Sequence, residues 1–126
     1  APQMPSTNNI FNEAALRKMK PTAFIINTAR GSLIDHQAFY LALKEGWIAG
    51  AALDVVAHHP PDDDYDRKII SLPNVMTTAH AGFYSEEAID DLIHIVSTNV
   101  GAVLRGEVPP DIVNKDVVSS LTWVSK

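Results

Sequence analysis

The sequence predicts an α/β fold in which three parallel strands carry flanking helices and a long C-terminal helix. Two observations predict it. Short apolar runs of strand length alternate with segments of helical periodicity, the order that gives parallel βαβ units. The residues able to do chemistry gather just after those runs, where open α/β sheets bind their ligands.

Each element has its own signal. "FNEAALRKMK", residues 11–20, reads as a short helix with Asn12 or Asn9 as its cap, and Pro21 stops it. "TAFIINTA", residues 22–29, is a β-branched apolar run, expected to be a strand buried on both faces. Arg30-Gly31-Ser32 breaks that run. "DHQAFYLALKEG", residues 35–46, is a helix with Asp35 as N-cap and Gly46 past its end. Ala38, Leu41 and Ala42 are its expected buried stripe. "IAGAALDVV", residues 48–56, is a second buried strand, with small residues that allow close helix packing. A loop from Ala57 to Pro73 follows, with one helical turn at Tyr65–Ile70. "NVMTTAH", residues 74–80, is a third, shorter strand. Ser85 caps the long helix, in which Ile89, Leu92, Ile93, Val96, Val100, Val103 and Leu104 recur at helical spacing until Gly106. Residues 107–126 show no strong pattern.

Composition narrows the function classes. The chain has 126 residues, enough for one modest domain. Its net charge is −5 and its ten Lys and Arg residues are scattered, which disfavours nucleic-acid binding. It has no cysteine, so it has neither disulfides nor a thiolate zinc site. No apolar run approaches the roughly 18 residues of a membrane span. The N-terminal residues lack the basic and apolar regions of a secretory signal. A cytoplasmic setting is the expectation.

The three strand ends carry Thr28-Ala29-Arg30-Gly31, then Asp54 and the His58-His59 loop, then Thr78-Ala79-His80-Ala81-Gly82. An arginine at a strand end suits a carboxylate, because its fork matches two oxygens. A histidine at a neighbouring end can move a proton near neutral pH. Together they suit a small acid with a carbonyl or hydroxyl beside its carboxylate. The plainer alternative pairs Arg30 with a surface acid and His80 with backbone. Phe83 and Tyr84 are candidates for a pocket wall or for core packing, Trp47 for packing, and His36 and His94 for helix surface or boundary positions.

The stretch "INTARGSLIDHQAFYLALKEGWIAGAALDVV", followed by "LPNVMTTAHAG", resembles the D-isomer-specific 2-hydroxyacid dehydrogenases. The likeness lies in Asn-x-x-Arg-Gly-x-x-x-Asp, then Gly-Ala-x-x-Asp-Val, then His-x-Gly, in order, and runs from about Pro2 to Asn114. It implies half of a doubly wound, Rossmann-type sheet. It makes Arg30 the substrate-carboxylate clamp and His80 the proton donor. It places Asp54, the Thr28-Ala29 backbone, Gly82 and Pro2 beside an NAD or NADP nicotinamide, with a small 2-oxo or 2-hydroxy acid as substrate. Residues 1–104 become the second half of the cofactor domain plus an interdomain helix, and residues 105–126 a tail returning to a substrate domain. No Gly-x-Gly-x-x-Gly phosphate loop is present. The chain is therefore expected to work with the remainder of the same enzyme chain, to be inactive alone, and to form a homodimer. It is expected to contact neither nucleic acid nor membrane.

Three positions depart from the pattern. His59 stands five residues after Asp54 and before Pro60, where the family places a glutamate that orients the catalytic histidine. His59 could still orient His80 as a neutral hydrogen-bond partner. Ala79 replaces a common proline, and Met4 a common threonine. "HAGFYSEEA" and "VNKD" also resemble the C-terminal-binding-protein branch, so a non-enzymatic corepressor or NAD(H) sensor is the alternative. A metal site of His58, His59, His80, Asp62, Asp63, Asp64 and Asp66 is disfavoured, because adjacent residues of an extended chain point to opposite sides.

Overall fold

The computed structural model describes residues 1–57 and 64–122. The chain divides into two compact units, Ala1–Gly82 and Phe83–Lys126. The first holds α1 (Glu13–Leu16), β1 (Phe24–Asn27), α2 (His36–Lys44), β2 (Gly50–Leu53), α3 (Asp64–Ile70) and β3 (Val75–Thr77). The strands form one parallel sheet in the order β1-β2-β3, the fold class expected from the alternating pattern.

Capping set the helix starts. The side chain of Asn12 accepts from the Ala15 N–H at 3.0 Å, and that of Asp35 accepts from the Ala38 N–H at 3.0 Å. Each satisfies a donor that the helix itself leaves open. Gly46, at φ +74°, turns the chain out of α2. On α2 the buried residues are Ala38, Phe39, Ala42 and Leu43; of the expected stripe Ala38 and Ala42 are inside, whereas Leu41 is only half-buried and Phe39 and Leu43 take the core positions. Phe39 is a fully buried anchor of the core, a position that contributes about 1.5–3 kcal/mol of burial. Asn74 adds a polar tie, its Nδ2 donating to the carbonyls of Leu43 and Ala49 at 3.2 Å each. It joins the end of α2 to the start of β2.

One expectation is corrected. β1 is buried on one face only: Ile25 and Asn27 are inside, whereas Phe24 is 67% and Ile26 75% exposed. Met76 of β3 is exposed as well. Alternate strand residues face opposite sides, and among the described residues of the first unit the helices cover one side. The apolar run reports how buried a strand is designed to be, while the unit supplies half of that cover.

The second unit is built on α4 (Glu86–Leu104). The Ser85 hydroxyl accepts from the Ala88 N–H at 3.1 Å, and Gly106, at φ +74°, ends the helix. The chain then folds back: the Asp111 N–H donates to Asn99 Oδ1 at 3.2 Å, and Asn99 Nδ2 donates to Asp111 Oδ2 at 3.1 Å. A short 3-10 turn at Lys115–Ser120 lies in the tail where the sequence showed no pattern. Leu92, Ile93, Val96, Val100, Val103 and Leu104 of α4 are exposed. No helix of the described residues is long and apolar enough to cross a membrane.

Candidate active site

The first strand end is set by Asn27, which is buried. Its Oδ1 accepts from the Ala29 N–H at 3.0 Å, and its Nδ2 donates to the Arg30 carbonyl at 2.9 Å. Asparagine side chains readily close such turns. Gly31 follows because nothing larger fits: a Cβ there would lie 2.2 Å from the Val56 carbonyl carbon and 2.3 Å from the Ala57 nitrogen. The turn thus lies directly on the backbone that leaves β2. Arg30 is exposed, and one guanidinium N–H donates to the Ala29 carbonyl at 2.7 Å. Among the described residues it pairs with no acid.

The third strand end is set from the neighbouring strand. Leu53 pairs with Thr77, so Asp54 stands beside Thr78 one residue on. The buried Asp54 carboxylate accepts from the Thr78 hydroxyl and from the Ala81 N–H (2.9 Å) through Oδ1, and from the Gly82 N–H (2.9 Å) through Oδ2. These bonds hold its carboxyl below the ordinary carboxylate range: Thr78 contributes most, then Gly82, then Ala81 and the charge of His80, against an opposing effect of burial. Gly82 is needed here too, since a Cβ would approach Asp54 Oδ2 to 2.9 Å. Inside this clasped turn His80 has φ +55°, a left-handed conformation costly for a residue with a Cβ. His80 is exposed.

The N-terminal segment borders the first turn. The Phe11 N–H donates to the Leu33 carbonyl at 3.0 Å and the Asn9 N–H to the Ser32 carbonyl at 2.9 Å. The Pro2 carbonyl accepts from the Thr7 hydroxyl at 2.7 Å. A cleft of about 380 Å³ runs between Ala1, Ile10, Phe11, Ile26, Thr28 and Ala29. A second cavity of about 270 Å³ opens between Asp54, Val56, Ile70 and Thr78.

The structure therefore places Arg30, Asp54, His80 and Gly82 at the carboxyl ends of three adjacent parallel strands, with Thr28 and Ala29 at the first, while Pro2 bonds Thr7 of its own segment. His59, with His58, lies outside the described residues. Among the described residues no group of three His, Cys, Asp or Glu side chains could hold a metal ion. Sequence reasoning missed the turn-building role of Asn27, although it lies in the motif. It also missed Asp54 as the clasp of the His80 turn. His36 takes the boundary position of the two expected, half-buried, and what the sequence did not reveal is its fully buried neighbour Asp66.

Residues 1–82 match the model of the D-isomer specific 2-hydroxyacid dehydrogenase NAD binding domain. The chain is 44% identical over 117 residues to a glyoxylate reductase of Pyrococcus furiosus, covering 93% of this chain and 34% of that protein. It is 44% identical over 118 residues to a glyoxylate reductase of Korarchaeum cryptofilum, covering 93% of this chain and 35% of that protein. It thus spans about a third of the length of these relatives. Among solved structures, the NAD-complexed D-isomer specific 2-hydroxyacid dehydrogenase of Lactobacillus delbrueckii superposes with a TM-score of 0.75 at 34% identity, over 90% of this chain and 38% of that one. The NADPH-dependent glyoxylate/hydroxypyruvate reductase of Sinorhizobium meliloti, in complex with NADP and malonate, gives 0.73 at 32% identity, over 81% of this chain and 31% of that one.

Proposed function

Since the chain belongs to the D-isomer specific 2-hydroxyacid dehydrogenase family, we propose that it is the C-terminal, nicotinamide-side part of an NAD- or NADP-dependent reductase of small 2-oxo acids. Glyoxylate is the substrate to try first, by the relatives it matches. The observation that carries the reading is Arg30: an exposed guanidinium on a locked turn, without an acid partner among the described residues, beside the strand ends that carry Asp54 and His80.

The residues present suit a nicotinamide. The cleft at Thr28 and Ala29 has apolar walls, and among the described residues Asp54 Oδ2 accepts one hydrogen bond, which leaves acceptor capacity for a carboxamide N–H. Pro2, Thr28, Ala29, Asp54 and Gly82 would hold the ring, whose reduced form supplies a hydride to the substrate carbonyl carbon. Arg30 grips the substrate carboxylate with two parallel N–H bonds and so fixes which carbon is presented. His80 gives a proton to the carbonyl oxygen as it becomes an alkoxide, and takes it back in the reverse direction. The carboxylate of Asp54 shapes the turn that aims His80. His59 stands where the family has its histidine-orienting carboxylate, and we assign it the same orienting task through an uncharged hydrogen bond.

The rest of the enzyme chain supplies the phosphate-binding half and the substrate domain, and a second copy completes a homodimer. In this reading the 126-residue chain alone turns nothing over. The full-length protein should oxidise reduced nicotinamide in the presence of glyoxylate or another 2-oxo acid, and the isolated chain should not. Steady turnover by the isolated chain would overturn the proposal. A full-length protein that binds NADH and reduces no 2-oxo acid would select the regulator instead.

A further inference from the structure

Below the Arg30 turn lies a polar pair that the reaction does not itself require. Asp66, in the first turn of α3, is completely buried. Its Oδ1 lies 2.7 Å from Nδ1 of His36, the first residue of α2. The contact is short but lacks hydrogen-bond alignment. The other ring nitrogen, Nε2, lies 3.3 Å from the carbonyl oxygen of Gly31. The two nitrogens of one imidazole therefore face oxygens on two different elements, α3 and the Arg30 turn.

We propose that His36 and Asp66 are positioning residues for the Arg30 clamp, an inference that rests on the reading of Arg30 given above. The chain of contacts runs from Asp66 through His36 to the Gly31 carbonyl, one residue from Arg30. Gly31 is already seated on the backbone of Val56 and Ala57, and Asn27 holds the Ala29 N–H and the Arg30 carbonyl. His36 adds a third hold, and it differs from the others in its origin. It comes from α2 and lies against α3, so it ties the clamp turn to α3. Stability alone is a poor reason for such a pair. A buried ion pair is commonly no better than apolar residues of the same volume, whereas removing one partner strands the other charge. An apolar pair would fill the space, but it would leave the Gly31 carbonyl held by the Ile34 N–H of its own turn (3.1 Å) and no longer from α2.

The test separates stability from positioning in the full-length protein. His36→Phe keeps an aromatic ring and removes both nitrogens. The double variant His36→Phe/Asp66→Leu removes the Asp66 carboxylate as well. The expected result is that His36→Phe lowers the thermal midpoint and raises KM for the 2-oxo acid about tenfold, with KM for the reduced cofactor within about twofold. The double variant recovers the midpoint while KM for the 2-oxo acid stays raised. Unchanged KM in both variants overturns the proposal. So does a double variant that restores KM or fails to fold, because the pair is then structural. Wild-type protein that reduces no 2-oxo acid defeats the underlying function, and this inference with it. Wild-type turnover with unaltered variants defeats this inference alone.

Discussion

The turns that end β1 and β3 solve one problem in two ways. Each carries an exposed side chain, Arg30 or His80, and each uses a buried polar side chain and a tightly seated glycine, Gly31 against the Val56–Ala57 backbone and Gly82 against Asp54. The first turn is held from within, by Asn27 reaching two and three residues along its own chain. The second is held from the adjacent strand, by Asp54 reaching 24 to 28 residues away. The locally held turn keeps its arginine in ordinary extended backbone, at φ −151°. The remotely held turn keeps its histidine in left-handed backbone. A strained turn needs the stronger, charged clasp, since hydrogen bonds to an ionised acceptor exceed neutral ones. In the proposed function, the difference would suit a rigid carboxylate grip at one end and a stored conformation for proton transfer at the other.

The comparison can be broken at its seat, its clasp or its charge. The largest effect should come from Gly31→Ala. Its Cβ would meet the Val56 backbone at 2.2 Å, so the variant should lose at least about 3 kcal/mol by overpacking, read by denaturant unfolding. A variant as stable as wild type would mean that the turn does not rest on that backbone. Next is Asp54→Ala, which removes the acceptor of three donors at once. In the full-length protein kcat should fall about a hundredfold through loss of His80 geometry, with KM for the 2-oxo acid little changed. A rise in KM alone would assign Asp54 to substrate binding. Asn27→Ala should be milder, at about 1–3 kcal/mol for the buried groups left open, and it should act on KM for the 2-oxo acid because it loosens the Arg30 turn. Smallest is the pH effect. Asp54 is shifted downward on folding, so its contribution is complete above the ordinary carboxylate pKa of about 3.9. It is lost as pH falls through the lowered folded value. A carboxyl NMR titration that places Asp54 above the ordinary value would contradict the clasp.

The same contrast decides what was legible in the sequence. Asp35 and Ser85 as caps, Gly46 and Gly106 as helix stops, and the parallel order all act over a few residues, and the pattern shows them. Asn27 was within reach by the same logic, since its bonds are local, but the motif drew attention to Arg30 instead. The Asp54 clasp depends on register: only the pairing of Leu53 with Thr77 puts Asp54 beside Thr78, and no local pattern encodes that pairing. The His36–Asp66 contact joins two helices that follow different strands, so helical periodicity left His36 a boundary residue. The exposed face of β1 was missed for another reason. An apolar run records the burial a strand is suited to, and the cover for Phe24 and Ile26 is not among the described elements of its own unit.

The central claim is that His80, held by Asp54 in left-handed backbone, is the proton donor of a 2-oxo acid reductase. Steady-state kinetics of His80→Gln in the full-length protein test it most directly. The account predicts a fall in kcat of about 10²–10⁴-fold, with KM for the 2-oxo acid changed by no more than a few-fold, because Arg30 still holds the carboxylate. A variant whose kcat stays within twofold of wild type would contradict it.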